Sequence, residues 1–294
     1  MEVIDAQPKY VRSKTLPFKT IRIRPIGDIQ LGSDGTQVKR LKEYIREGIE
    51  ADAWFLGMGD YTDFLSPSNR QKLKNAGLYD NSVNKIEKWA IEEINELADL
   101  FKDTKGRWIG MHEGHHFYEF SDGTTTDTRL SEMLEAPFLG TCGLTGIQFT
   151  NAEAHRSVTC VIWSHHGSTG SGSILNKLEK IALGFPNADI LCMAHANQLE
   201  TRAIPAVELI GKRGQFYTKS RSRRLVATGS FDTAYTVGST DGMTGRPRGG
   251  YAEKAAYRPT GIGAPMIRIT PQVHDSYHNG KRYMYGELDI RAEV

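Results

Sequence analysis

Residues Ala53-Trp-Phe-Leu-Gly-Met-Gly-Asp-Tyr-Thr-Asp63 decide how the rest of the chain is read. A short apolar run flanked by turn-favouring residues predicts a buried strand ending at Gly59-Asp60. A carboxylate that follows a glycine at the C-terminal end of such a strand stands where open α/β sheets carry their chemistry. Four other stretches repeat the arrangement. The run 21–26 ends in Gly27-Asp28-Ile-Gln30, 107–110 in Met111-His112-Glu-Gly-His-His116, 161–163 in Ser164-His-His166-Gly167, and 190–193 in Ala194-His-Ala-Asn197. Five strand ends therefore deliver carboxylate, amide or imidazole groups.

Helical periodicity fills the intervals. Val38, Leu41, Ile45 and Ile49 recur at helical spacing, as do Val83, Ile86, Ala90, Ile94, Leu97 and Phe101, and later Ile174, Leu178, Ile181 and Phe185. Asp127 to Glu135 predicts a short helix closed by Pro137, and 61–81, polar and broken by Pro67 and Gly77, a loop over the strand ends. From Gly146 the pattern turns to strands at about 146–150, 157–163, 189–193, 199–209, 225–230, 265–269 and 283–290. A β-α-β-α-β first half before a strand-rich second half implies helices packed outside two stacked sheets. The expected fold is α/β: one domain over 1–294, a four-layer α/β/β/α sandwich of two mixed sheets, with a metal site at strand ends. Residues 1–19 read as an extended arm or peripheral strand, and 229–264, glycine-rich and long, as a lid loop.

Composition narrows the class. The chain has 39% apolar and 24% charged residues, and no apolar run reaches the roughly 18 residues of a membrane helix. The N-terminus lacks a signal pattern, and Cys142, Cys160 and Cys192 are scattered, so a reduced cytoplasmic setting is expected. Net charge is +2, yet 211–258 holds ten Lys/Arg against three acids. The run Gly211 to Arg224 mixes basic and aromatic residues; it reads as a solvated hairpin or as a track for a phosphate backbone.

Six of the nine histidines, at 112, 115, 116, 165, 166 and 195, lie at three of the strand ends. Single histidines there are commonly structural. As a set with Asp28 and Asp60 they call for a cation, because converging buried carboxylates and imidazoles leave charge uncompensated.

In Asp28-Ile-Gln30, Gly59-Asp60, Gly110-Met-His-Glu113, His165-His166 and Ala194-His-Ala-Asn197 the chain resembles the calcineurin-like metallophosphoesterases. That family's pattern is D-x-H, G-D, G-N-H-[DE], H and G-H-x-H. Gly167–Gly172, Gly229–Tyr235 and Tyr251–Pro259 resemble a phage-type branch, which would place the protein in a host cytoplasm. The resemblance implies two divalent cations, Mn²⁺ first with Mg²⁺, iron or Zn²⁺ as alternatives, and hydrolysis of a phosphodiester or phosphomonoester. It implies that Asp60 bridges, that Asp28 binds one ion, and that His195 with His165 or His166 binds the other. His112 would protonate the leaving oxygen or hold a phosphate oxygen, and Asp63, completing G-D-x-x-D, orients the catalytic histidine. The departures are Gln30 and Asn197 in place of histidines and Met111 in place of the asparagine ligand, for which Glu113, His115 or His116 could compensate. One site thereby becomes oxygen-only: Asp28, Gln30, Asp60 and Asn197. The expected substrate is a phosphorylated small molecule or nucleic acid, held by Tyr251, Tyr257 and Arg258 of the lid. A non-catalytic scaffold with an eroded site is the rival reading.

Overall fold

The computed structural model describes residues 11–151, 156–168, 172–212, 215–241, 243–249, 251–254, 256, 259, 261–278 and 281–294. Two six-stranded mixed sheets stack face to face. The first half supplies β1 (Val11–Pro17), β2 (Ile21–Ile26), α1 (Val38–Glu50), β3 (Trp54–Gly57), α2 (Pro67–Asn75), α3 (Asp80–Leu100), β4 (Trp108–His112) and α4 (Thr126–Met133). The second supplies β5 (Phe138–Gly140), β6 (Cys142–Asn151), β7 (Arg156–His165), α5 (Ile174–Gly184), β8 (Ile190–Met193), β9 (Leu199–Lys212), β10 (Gln215–Thr228), α6 (Tyr251–Lys254), β11 (Met266–His278) and β12 (Lys281–Glu293). One sheet runs β1-β6-β7-β8-β10-β9 and the other β12-β11-β2-β3-β4-β5.

The layering follows from which residues each strand must bury. β3, β4 and β8 are buried along nearly their whole length and read as continuous apolar runs, whereas β2 and β7 carry exposed Arg22, Ser157 and Thr159. Leu56, Met58, Ile109, Phe149, Ile162, Cys192 and Val226 fill the space between the sheets. Phe55, Trp108 and Met111 point the other way, onto α1, α3 and α4 through Leu41, Ile45, Leu97, Phe101 and Leu130. On the opposite outer face Trp163, Leu191 and Leu225 pack against Leu175 and Leu178 of α5. This is the expected four-layer sandwich.

Of the stretch expected as an extended arm or peripheral strand, β1 is a strand paired parallel to β6, and residues 1–10 lie outside the described residues. The stretch 61–81 is more than a loop. Ser66 caps α2 by accepting from the Asn69 N–H at 3.3 Å, with Pro67 in the first turn. None of the residues in α2 is buried, so no apolar stripe announced it. β9–β10 and β11–β12 are antiparallel hairpins with arms of 13 or 14 residues, longer than the apolar patterns implied. Cys142, Cys160 and Cys192 are free thiols. No helix among the described residues is long and apolar enough to cross a membrane.

Candidate metal centre

Parallel β2, β3 and β4 in one sheet and β7 and β8 in the other bring their C-terminal ends to one edge. The chain leaves that edge in an uncommon conformation. Of the eight non-glycine residues with positive φ among the described residues, five are Asp28 (46°), Gln30 (51°), Asp60 (52°), His195 (73°) and Asn197 (51°). Each costs of order 1 kcal/mol and persists only where its surroundings fix it, which is characteristic of functional sites. Here the fixing is a ladder between loops. The N–H groups of Ile29 and Gln30 donate to Asp60 O at 2.9 and 3.0 Å, and that of Asp28 donates to Gly59 O at 2.9 Å.

Asp60, His115, His166 and His195 converge, each offering a ligand atom within 4.8 Å of the others. Asp60 is oriented through one oxygen: Oδ1 accepts from the N–H groups of His115 and, at 3.1 Å, His116. Its Oδ2 has no hydrogen bond and lies 3.3 Å from His166 Nε2 and 3.8 Å from His195 Nδ1, contacts of charge rather than aligned hydrogen bonds. His166 donates from Nδ1 to Met58 O at 2.7 Å, which turns Nε2 towards Asp60. His115 Nδ1 and His195 Nδ1 face one another at 3.2 Å. Asp28 repeats the pattern of Asp60. Its Oδ2 accepts from the His195 N–H at 2.7 Å, while Oδ1 is buried and bare. Asn197 Oδ1 is likewise buried without a partner.

Without a cation, protons meet the charge at this edge. Burial, with the charge of Asp60 added, pushes Asp28 up to about 7. Burial opposes protonation of His166, but the charge of Asp60 outweighs it and lifts the imidazole to about 9. Burial also opposes ionisation of Asp60, and the His166 charge holds it well below the usual carboxylate range. Burial, then the neighbouring imidazoles, lowers His115 to about 4, so it is a neutral ligand. Bare, inward-facing oxygen and nitrogen atoms beside buried carboxylates fit divalent cations.

Next to the cluster His116 Nδ1 meets Asp63 Oδ1 at 2.6 Å. Burial disfavours its protonation, but the Asp63 hydrogen bond and the Asp60 charge prevail and raise it. The structure thus gathers Asp28, Asp60, His166, His195 and Asn197, with Gln30 at the same edge and Asp63 beside His116.

It does not bring His112 to the site. β4 continues through Met111 and His112 instead of ending at Gly110, because Met111 and His112 pair with β5. His112 is buried between the sheets, its Nδ1 donating to Gly140 O at 2.8 Å and its Nε2 accepting from Ser164 Oγ at 2.7 Å. Burial lowers it to about 4, so it is a neutral structural imidazole with no free nitrogen. Met111 is core. His165 also points away. It stacks on Trp163 at 5.7 Å, and its Nδ1 accepts from the Gly167 N–H at 2.7 Å.

The sequence offers His115 and His116 only as substitutes for the missing asparagine ligand, because Gly110-Met-His-Glu113 carries the expected acid and Gly114-His-His-Phe117 does not. The usable signal was strand length. The loop that carries them is pinned by two residues no motif indicated. Arg70 of α2 donates to the carbonyls of Leu65, His115 and Phe117 at 2.7, 2.5 and 3.1 Å. Buried Asp127 accepts from the Gly114 N–H at 2.8 Å. Gly114 must be glycine, since a Cβ there would fall on the backbone nitrogen and Oδ1 of Asp60.

Three arginines of the basic stretch are spent internally. Arg221 pairs with Asp189 at 2.7 Å and with Glu208, Arg223 donates to the carbonyls of Ala182, Phe185 and Ala188, and Arg224 donates to Ile290 O. The stretch also lies towards the wrong end of β10: Lys219 is nine residues before Thr228, about 30 Å along an extended strand. The segment expected as a lid begins at this edge, with Phe231 N and Ser230 Oγ donating to Asp28 O at 2.9 and 3.0 Å. Tyr257 and Arg258 lie outside the described residues, and of Tyr251 only the backbone, opening α6, is described.

No protein-family model matches the chain, and no protein of curated function matches it by sequence. Solved structures align with the chain at low similarity. Vacuolar Protein Sorting 29 from Cryptosporidium parvum aligns over 93% of this chain and 100% of its own, with 11% identity and a TM-score of 0.36. Vps29 complexed with Zn²⁺ from Entamoeba histolytica aligns over 91% and 99%, with 10% identity and a TM-score of 0.36. A predicted phosphoesterase from Streptococcus pneumoniae TIGR4 aligns over 91% and 98%, with 13% identity and a TM-score of 0.32. The architecture and the chemistry therefore rest on this chain's own strands and side chains.

Proposed function

We propose that this chain is a metal-dependent phosphoesterase acting on a phosphodiester or phosphomonoester of a nucleotide or nucleic acid. The observation that carries the reading is the convergence of Asp60, His115, His166 and His195 beside the 2.6 Å His116–Asp63 pair. Asp60, His115, His166 and His195 would hold one divalent cation, and Asp28, Gln30 and Asn197, with Asp60, a second. Bound cations supply Lewis acidity towards phosphate oxygens and acidify an attacking water. The remaining work falls to the protein. The N–H groups of His115 and His116 hold the Asp60 carboxylate in place, and Met58 O fixes the His166 tautomer. Asp63 keeps His116 protonated, so that it hands its proton to the leaving oxygen. Tyr251, Tyr257 and Arg258 are the proposed contacts to the rest of the substrate.

The test uses chelator-stripped protein reloaded with Mn²⁺, Mg²⁺ or Zn²⁺ and assayed on a bis-aryl phosphodiester and an aryl monophosphate. Turnover that requires metal and vanishes in Asp60→Asn is expected. Metal binding without turnover on either ester would leave the fold serving as a scaffold.

A further inference from the structure

The peptide group between His115 and His116 is bonded at both ends. Its carbonyl, that of His115, accepts from Arg70 Nη1 at 2.5 Å, and its N–H, that of His116, donates to Asp60 Oδ1 at 3.1 Å. In a trans peptide the C=O and N–H bonds point opposite ways along one axis. A cation at the oxygen and a carboxylate at the hydrogen therefore polarise the group in the same sense, and each bond strengthens the other.

The neighbouring peptides keep the same separation of poles. On one side of the loop the N–H of Gly114 donates to Asp127 Oδ2, and those of His115 and His116 donate to Asp60 Oδ1. Successive N–H groups turned to carboxylates form a concave anion seat. On the other side the carbonyls of His115 and Phe117 accept from Arg70, and that of His116 accepts from the N–H groups of Phe64 and Leu65 at 3.1 and 3.4 Å. The guanidinium lies over the Phe117 ring at 3.8 Å, and the two hydrogens of Nη1 serve three carbonyls, Leu65 included. A single nitrogen thus joins the segment after Asp60 to the loop of His115 and His116.

We infer that Arg70 is a positioning residue of this centre, acting through the His115–His116 peptide on both the Asp60 carboxylate and the His116 imidazole. A planar guanidinium rests on the Phe117 ring while Nη1 reaches the carbonyls, a placement that a shorter, non-planar ammonium reproduces only in part. Anchoring α2 does not account for the contact. That helix has no buried residue, and it is tied down independently by Leu73, packed against Tyr118 and Phe120, and by Lys74, paired with Glu119 at 2.8 Å. The effect on rate rests on the phosphoesterase reading above, whereas the effect on the loop does not.

Amide hydrogen exchange, read by mass spectrometry on the full chain and its variants, tests the hold on the loop. In Arg70→Ala the segment 113–118 should exchange at least about tenfold faster, because a charged hydrogen bond is lost, while α3 and the sheets keep their protection. Lys74→Ala, which loosens α2 without touching that peptide, should leave 113–118 unchanged. With metal loaded, Arg70→Ala should lower kcat on an alkyl phosphodiester about 10- to 100-fold at nearly constant KM, the range for a residue that orients metal ligands. Arg70→Lys should regain part of that loss, and guanidinium at a non-denaturing concentration should restore Arg70→Ala towards the parent. Exchange at 113–118 indifferent to Arg70→Ala, or raised equally by Lys74→Ala, would overturn the proposal, since Arg70 would then serve α2 alone. So would a kcat loss that neither lysine nor guanidinium recovers. Faster exchange at 113–118 in a protein with no turnover on any ester would uphold it and sink the phosphoesterase reading instead.

Discussion

Removing His116 should reveal whether it is a proton donor. Its Nδ1 is taken by Asp63 at 2.6 Å, so Nε2 is the one nitrogen left to face a leaving group. A positioned general acid contributes roughly 10²- to 10⁴-fold, and only where the departing oxygen needs a proton. His116→Ala should therefore slow hydrolysis of an alkyl phosphodiester by about 10²- to 10⁴-fold and that of a nitrophenyl ester by less than about tenfold. Asp63→Asn should give a smaller loss of the same kind. Charge centres about 4 Å apart interact by about 1 kcal/mol in water and 4 kcal/mol near a protein surface. His116 and Asp63 are 26% and 38% exposed, so the lower end applies: about 1–2 kcal/mol, roughly 5- to 30-fold. Because Asp63 raises His116, the alkaline limb of the rate profile should also move to lower pH in Asp63→Asn. The assay is single-turnover hydrolysis of both esters at fixed metal loading, with bound metal counted in parallel. Equal losses on the two esters, or loss of metal along with rate, would refute the proton-donor role.

Two further outcomes separate structure from chemistry. His112→Gln should lower unfolding free energy by about 2–4 kcal/mol in chemical denaturation, because Ser164 and Gly140 lose a buried partner, yet retain metal and turnover once folded. Burial, followed by the charges of Asp63 and Glu96, raises Glu93 to about 7. Its stabilising share is therefore complete below the ordinary glutamate range and is lost as pH rises through about 7. Half-buried as it is, the effect is discounted to about 1 kcal/mol, so Glu93→Gln should match the parent melting temperature at pH 5 and exceed it by about 2–4 °C at pH 8.

The layers, the order of strands and helices, and the edge at which chemistry collects were set by local pattern. Buried strands read as largely apolar runs, and Asp28, Asp60, His166 and His195 stand at strand ends because a strand end is fixed by a few adjacent residues. What the sequence could not decide was where β4 stops. Two Gly-x-His runs lie four residues apart, and only pairing of Met111 and His112 with β5, 27 or more residues later, carries the strand past the first. That pairing turns His112 into a bridge between sheets and moves His115 and His116 to the metal edge. The same holds for the arginines. Composition made 211–224 a basic stretch, but whether a guanidinium meets solvent or Asp189 and Glu208 depends on elements distant in sequence that only the folded chain brings together.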